Sequence, residues 1–123
     1  MPSNRTVEEV ISLASQIPVE LRRRDNVSIV TLVKESNYRT YQSSIGIEDI
    51  CCHLRGYSDL IAAWSMYSED KRTSSGWYFD HDARTVGYFN GSSRERVETF
   101  DDVSKACASF IKHELDSIID HLK

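Results

Sequence analysis

The chain has 123 residues, enough for one domain with one core and too few for two comfortable ones. With 40% hydrophobic and 28% charged residues it is neither disordered nor fibrous. Its 19 acids against 15 bases give a net charge of −4, which argues against a general nucleic-acid binder and suits a basic partner.

No apolar run approaches the roughly 18 residues that a membrane helix needs. The N-terminal stretch MPSNRTVEEVISLASQIP carries acids and lacks a long uncharged apolar segment, so it does not read as a signal peptide. Three cysteines, two of them adjacent (Cys51 and Cys52), make no disulfide framework and read as cytosolic thiols.

Thr6-Val7-Glu8-Glu9 has the form of a capping box, and Val7, Val10, Ile11, Ala14 and Ile17 follow at helical spacing. This predicts a helix over 6–17, stopped by Pro18, with a turn or loose helical turn in VELRRRDN. VSIVTLVKES, 27–36, is dense in β-branched residues with apolar side chains on both alternating faces, which predicts a central strand or one covered on both sides. NYRTYQSSIG reads as a connection. Ile47, Ile50, Cys51 and Leu54 predict a helix ended by Arg55-Gly56. Ser58 reads as the cap of another helix, with Leu60, Ile61, Trp64 and Tyr67 inward, followed by SEDKRTSSG as a polar loop.

Trp77, Phe79 and His81 alternate with Tyr78 and Asp80, and TVGYF repeats the alternation after a short polar centre. This predicts a β-hairpin over 77–89, with a second turn at Asn90-Gly91 and a short third strand around 96–98. A long helix follows, capped by Thr99. Val103, Ala106, Cys107, Phe110, Ile111, Glu114, Leu115, Ile118 and Leu122 form its stripe, interrupted only by Glu114. Over 1–123 the expectation is a single α+β domain, a small antiparallel sheet packed on helices with a long C-terminal helix.

Catalytic and metal signatures are sparse. Cys51-Cys52-His53 lacks the spacing that lets two ligands reach one zinc, and Cys51 and Cys107 sit on apolar stripes. There is no Gly-x-Ser-x-Gly elbow and no phosphate-binding glycine loop. RRRD, 22–25, is too short a basic cluster for a nucleic-acid surface. His81 between Asp80 and Asp82 is the best general-base candidate, although aspartates at a turn also serve the backbone alone. No cofactor, metal or catalytic residue is assigned.

The segment YSEDKRTSSGWYFDHDARTVGYFNG, with the aliphatic-Trp helix before it and KACASFIKHEL after it, resembles small immunity proteins of bacterial contact-dependent growth-inhibition systems. The similarity is best from about Asp59 to Leu115, and its most specific piece is YSEDKR leading into Gly76-Trp77-Tyr78-Phe79. The resemblance implies a cytoplasmic, non-enzymatic inhibitor, expected as a monomer, that binds the toxin domain of its own system, in many cases a nuclease acting on RNA or tRNA. Glu69, Asp70, Asp80 and Asp82 are the candidate acidic contacts for such a partner, and Tyr67 and Tyr78 the candidate apolar anchors. The alternative from another class is a small hydrolase or nuclease using His81 with Asp80 or Asp82.

Overall fold

The computed structural model describes residues 6–24, 26–70 and 75–121. Among them are seven helices and one three-stranded antiparallel sheet, so the fold is α+β. The helices are α1 (Val7–Ser15), α2 (Ile17–Arg23), α3 (Ile29–Ser36), α4 (Tyr38–Tyr41), α5 (Ile47–Leu54), α6 (Ser58–Asp70) and α7 (Val103–His121). The strands β1 (Gly76–Asp80), β2 (Thr85–Phe89) and β3 (Arg94–Thr99) lie in sheet order β1-β2-β3.

Helix α1 starts as its sequence requires. The Thr6 hydroxyl accepts the Glu9 amide at 3.2 Å, and the Glu9 carboxylate accepts the Thr6 amide at 3.1 Å. Pro18 does not stop the chain from being helical. It sits in the first turn of α2, where the missing N–H leaves no hydrogen bond unmade, and α1 and α2 meet at Gln16. The charged VELRRRDN segment is largely the rest of α2, where Glu20 accepts from both Arg23 and Arg24.

The strand predicted over 27–36 is a helix, α3. Its apolar residues fit both periods, but Leu32, Val33 and Ser36 are the buried ones, a helical face. The deciding signals are at the ends. The Ser28 hydroxyl accepts the Thr31 amide at 3.2 Å, and Asn37 closes the helix in the left-handed region at φ 64°. The predicted connection after it contains α4, whose Tyr38 is fully buried.

Helix α7 is the centre of the molecule. It packs on α5 and α6, and on β1 and β2. Ala106, Cys107, Phe110, Ile111, Glu114 and Leu115 are buried along it, as the stripe foretold; near its end the buried residue is Ile119 rather than Ile118, which like Val103 is only partly buried, and Leu122 lies outside the described residues. Its cap is Asp102 rather than Thr99: the Asp102 carboxylate accepts the Ser104 amide at 2.8 Å, which is the main reason its pKa lies below the usual value, and it pairs with Arg55 on α5 at 3.2 Å. Thr99 instead ends β3. Farther along, Lys112 donates to the Gln42 carbonyl at 2.6 Å and to the Tyr38 hydroxyl at 2.8 Å, and Tyr38 donates to Asp116 at 2.7 Å. This network fastens the α4 segment to α7.

The sheet follows the predicted hairpin. Trp77 pairs with Tyr88, Tyr78 with Gly87 and Phe79 with Val86. Between Val86 and Tyr88 the register with β3 slips, so Gly87 faces both Arg96 and Val97, and Arg96 takes φ 54°. A bulge of this kind twists an edge strand and blunts it against pairing with other chains. All six residues of β3 are exposed.

Candidate functional site

A groove of about 810 Å³ runs between α6 and the hairpin. One wall is the α6 face Ala62, Ser65, Met66 and Glu69; the rest comes from β1, the hairpin turn, Phe89, Gly91 and Arg94. The two walls are joined at Ser68, a buried residue whose hydroxyl accepts the Phe79 amide at 2.7 Å. That amide points away from β2, so α6 satisfies part of the open edge of β1.

Strand alternation decides what the groove presents. Trp77 and Phe79 face α7: the Trp77 ring stacks on His113 at 3.9 Å, and Phe79 lies against Phe110 at 6.0 Å. Tyr78 and Asp80 face the other way. Tyr78 lies across Gly87, where an added Cβ would stand only 2.5 Å from the tyrosine hydroxyl. The Arg94 guanidinium covers the ring, 4.7 Å from its centre. Tyr78 is only 8% exposed, and its hydroxyl has no hydrogen-bond partner among the described residues.

Four of the six residues singled out in the sequence, Glu69, Tyr78, Asp80 and Asp82, line this one groove. Glu69 and Asp70 are not in a loop: α6 continues through Asp70, and residues 71–74 of the predicted loop lie outside the described residues. Asp70 is exposed at the end of α6 and does not line the groove. Tyr67 faces the core. Its ring packs on Trp64 and Phe110, and its hydroxyl donates to Glu114, the one charged residue on the α7 stripe. Burial first, and the Glu114 carboxylate second, raise the Tyr67 phenol far above its usual range. The exposed apolar side chain on the groove wall of α6 is Met66.

Met66 and Arg94 were not singled out. Met66 was legible, since it shares a helical face with Ala62 and Glu69 beside the buried stripe of Ile61, Trp64 and Ser68. Arg94 was not, because its position over Tyr78 depends on how β3 pairs with β2.

The aspartates at the turn divide their work. Asp80 accepts the Ala83 amide at 3.1 Å and so holds the turn. Asp82 is fully solvent-exposed, 3.4 Å from Nδ1 of the exposed His81. At that length and exposure the carboxylate does little to orient the imidazole. No group of three or more His, Cys, Asp or Glu side chains suited to a metal gathers among the described residues. Cys51 and Cys107 are buried, and burial raises both thiols, leaving them poor nucleophiles; Cys52 is exposed. No described helix is long and apolar enough to cross a membrane.

No protein-family model, curated protein or solved structure matches the chain. The groove geometry and the sequence resemblance therefore carry the functional reading between them.

Proposed function

We propose that the protein is a cytoplasmic immunity protein that binds the toxin domain of its own contact-dependent growth-inhibition system, a nuclease, and neutralises it by covering its active site. The observation that carries this reading is the groove itself. It gathers Glu69, Asp80 and Asp82 at the margins of an apolar surface made by Met66 and Phe89, on elements fixed by the Ser68–Phe79 bond. Carboxylates held this way stand in for substrate phosphates before a basic nuclease surface, while the apolar centre supplies desolvated contact area. Asp70 extends the acidic margin at the end of α6.

The alternative, a small hydrolase or nuclease using His81 with Asp80 or Asp82, has weaker geometric support. Asp80 is engaged by the turn, and the His81–Asp82 contact is long and open to water. Co-expression with the toxin domain encoded beside the gene tests the proposal. Growth should be rescued and the two proteins should co-purify, with His81→Ala rescuing as well as the parent. Rescue lost in His81→Ala with folding and toxin binding intact would favour the enzyme.

A further inference from the structure

The groove does not carry one sign of charge throughout. At one end stand Asp80 and Asp82. Toward the other lie Gly76, Phe89 and Arg94, since Phe89 pairs with both Gly76 and Arg94 across the sheet. The Arg94 guanidinium reaches back over the Tyr78 ring, two residues from Asp80 along β1, so the opposite charges stand roughly 7 Å apart along the strand. No carboxylate lies within ion-pair distance of Arg94 among the described residues. Beneath its guanidinium is the ring of Tyr78, a residue more than nine-tenths buried whose hydroxyl lies over Gly87 with no hydrogen-bond partner among the described residues. A buried hydroxyl in that state is costly unless something supplies a hydrogen bond.

Resting on the reading above, we propose that the groove takes an extended segment of the toxin with two opposite charges, a Lys or Arg seated at Asp80 and Asp82 and a carboxylate seated at Arg94 and the Tyr78 hydroxyl. In an extended chain, residues two apart point to the same side and span roughly 7 Å, which matches that separation. Arg94 and the tyrosine hydroxyl donate to the carboxylate; Asp80 and Asp82 accept from the cation. Arg94 also repels a segment that is basic throughout. It thereby separates the cognate toxin from other basic surfaces that the carboxylates alone would attract.

Three blocked peptides, Ala-Lys-Tyr-Glu-Ala, Ala-Lys-Tyr-Lys-Ala and Ala-Glu-Tyr-Glu-Ala, test this by NMR titration of the full chain at low salt. The mixed-charge peptide should shift resonances of Tyr78, Asp80 and Arg94 together and bind at least about fivefold more tightly than either single-sign peptide. Arg94→Glu, and separately Asp80→Lys with Asp82→Lys, should each abolish that preference, and Tyr78→Phe should reduce it while the fold, checked by the amide spectrum, is kept. If the doubly basic peptide binds as well or better, the mixed-charge segment is wrong. If no peptide perturbs the groove, the inference is likewise overturned. Neither outcome touches the immunity reading, which stands or falls on toxin binding and growth rescue by the unaltered protein. Conversely, a clear mixed-charge preference without toxin binding would keep the groove chemistry and remove the proposed partner.

Discussion

Tyr78 and Gly87 are opposite one another in the sheet, and each explains the other. The tyrosine ring lies flat on the strand only because its cross-strand neighbour has no side chain. Gly87→Ala should therefore cost about 1–3 kcal/mol, since the ring must leave the sheet surface to admit a methyl group. The same change made on a Tyr78→Ala background should cost at least about 1 kcal/mol less, a coupling that urea denaturation of the four proteins measures directly. Equal costs in both backgrounds would mean that the glycine serves its own backbone rather than the ring. His113 gives the residue scale a second test. Burial against Trp77 lowers its pKa below the usual 6.5, against the opposing pull of the Glu98 and Asp116 carboxylates and with the help of Arg96. The unfolded chain therefore binds this proton before the folded chain does. The stability involved is fully present above about pH 6.5 and is lost as pH falls through the lower folded value. His113→Gln should flatten the fall in melting temperature below about pH 6.5. A slope unchanged by the substitution would place the titration elsewhere, with His53, also lowered by burial, the next group to replace.

Elements show where local signals were enough and where they were not. The hairpin and α7 were legible because their periods are unambiguous: aromatic alternation of two, and a stripe kept for about five turns. Helix α3 was not, because Val27, Ile29, Val30, Leu32 and Val33 satisfy a strand as well as a helix. Their β-branching favours the strand, and burial of Leu32 and Val33 as α3 packs on α1, α2 and α4 overrides that weak preference. The capping serine at 28 and the left-handed Asn37 were the decisive signals, and both are polar residues easily read as loop. The groove was half legible. Glu69, Asp80 and Asp82 stood out as charges near aromatics, but that they share one surface depends on α6 lying along β1. Ser68 makes that contact, and its single hydroxyl carries a testable burden. Ser68→Ala leaves the Phe79 amide buried and unpaired, and should cost about 1–3 kcal/mol. Hydrogen exchange of the Phe79 amide should accelerate by more than that of its neighbours in β2. Uniform acceleration across the sheet would show instead that the bond stabilises the fold without specifically holding the edge.

At the scale of the whole molecule, the helices form a base, α7 joins them to the sheet, and the groove opens beside the edge of β1. The arrangement lets the core be specified without the groove: Trp64, Phe110 and Phe79 fill the interior, while the groove side chains are free to answer to a partner. Charge at the Asp80 and Asp82 end should act chiefly on encounter. Reversing both to lysine should slow association with the proposed toxin partner by about tenfold or more at low salt, with the difference shrinking as salt rises, because surface steering is screened within about 10 Å at 0.1 M.

The most direct measurement is the association of the purified protein with the proposed cognate toxin domain, followed by surface-bound kinetics together with that domain's expected nuclease activity. The expected result is a 1:1 complex in the nanomolar range that abolishes the nuclease activity, with association of the Asp80→Lys, Asp82→Lys variant slower than the parent's and the deficit largest at low salt. A folded protein that neither binds the toxin domain nor reduces its activity would contradict the central claim.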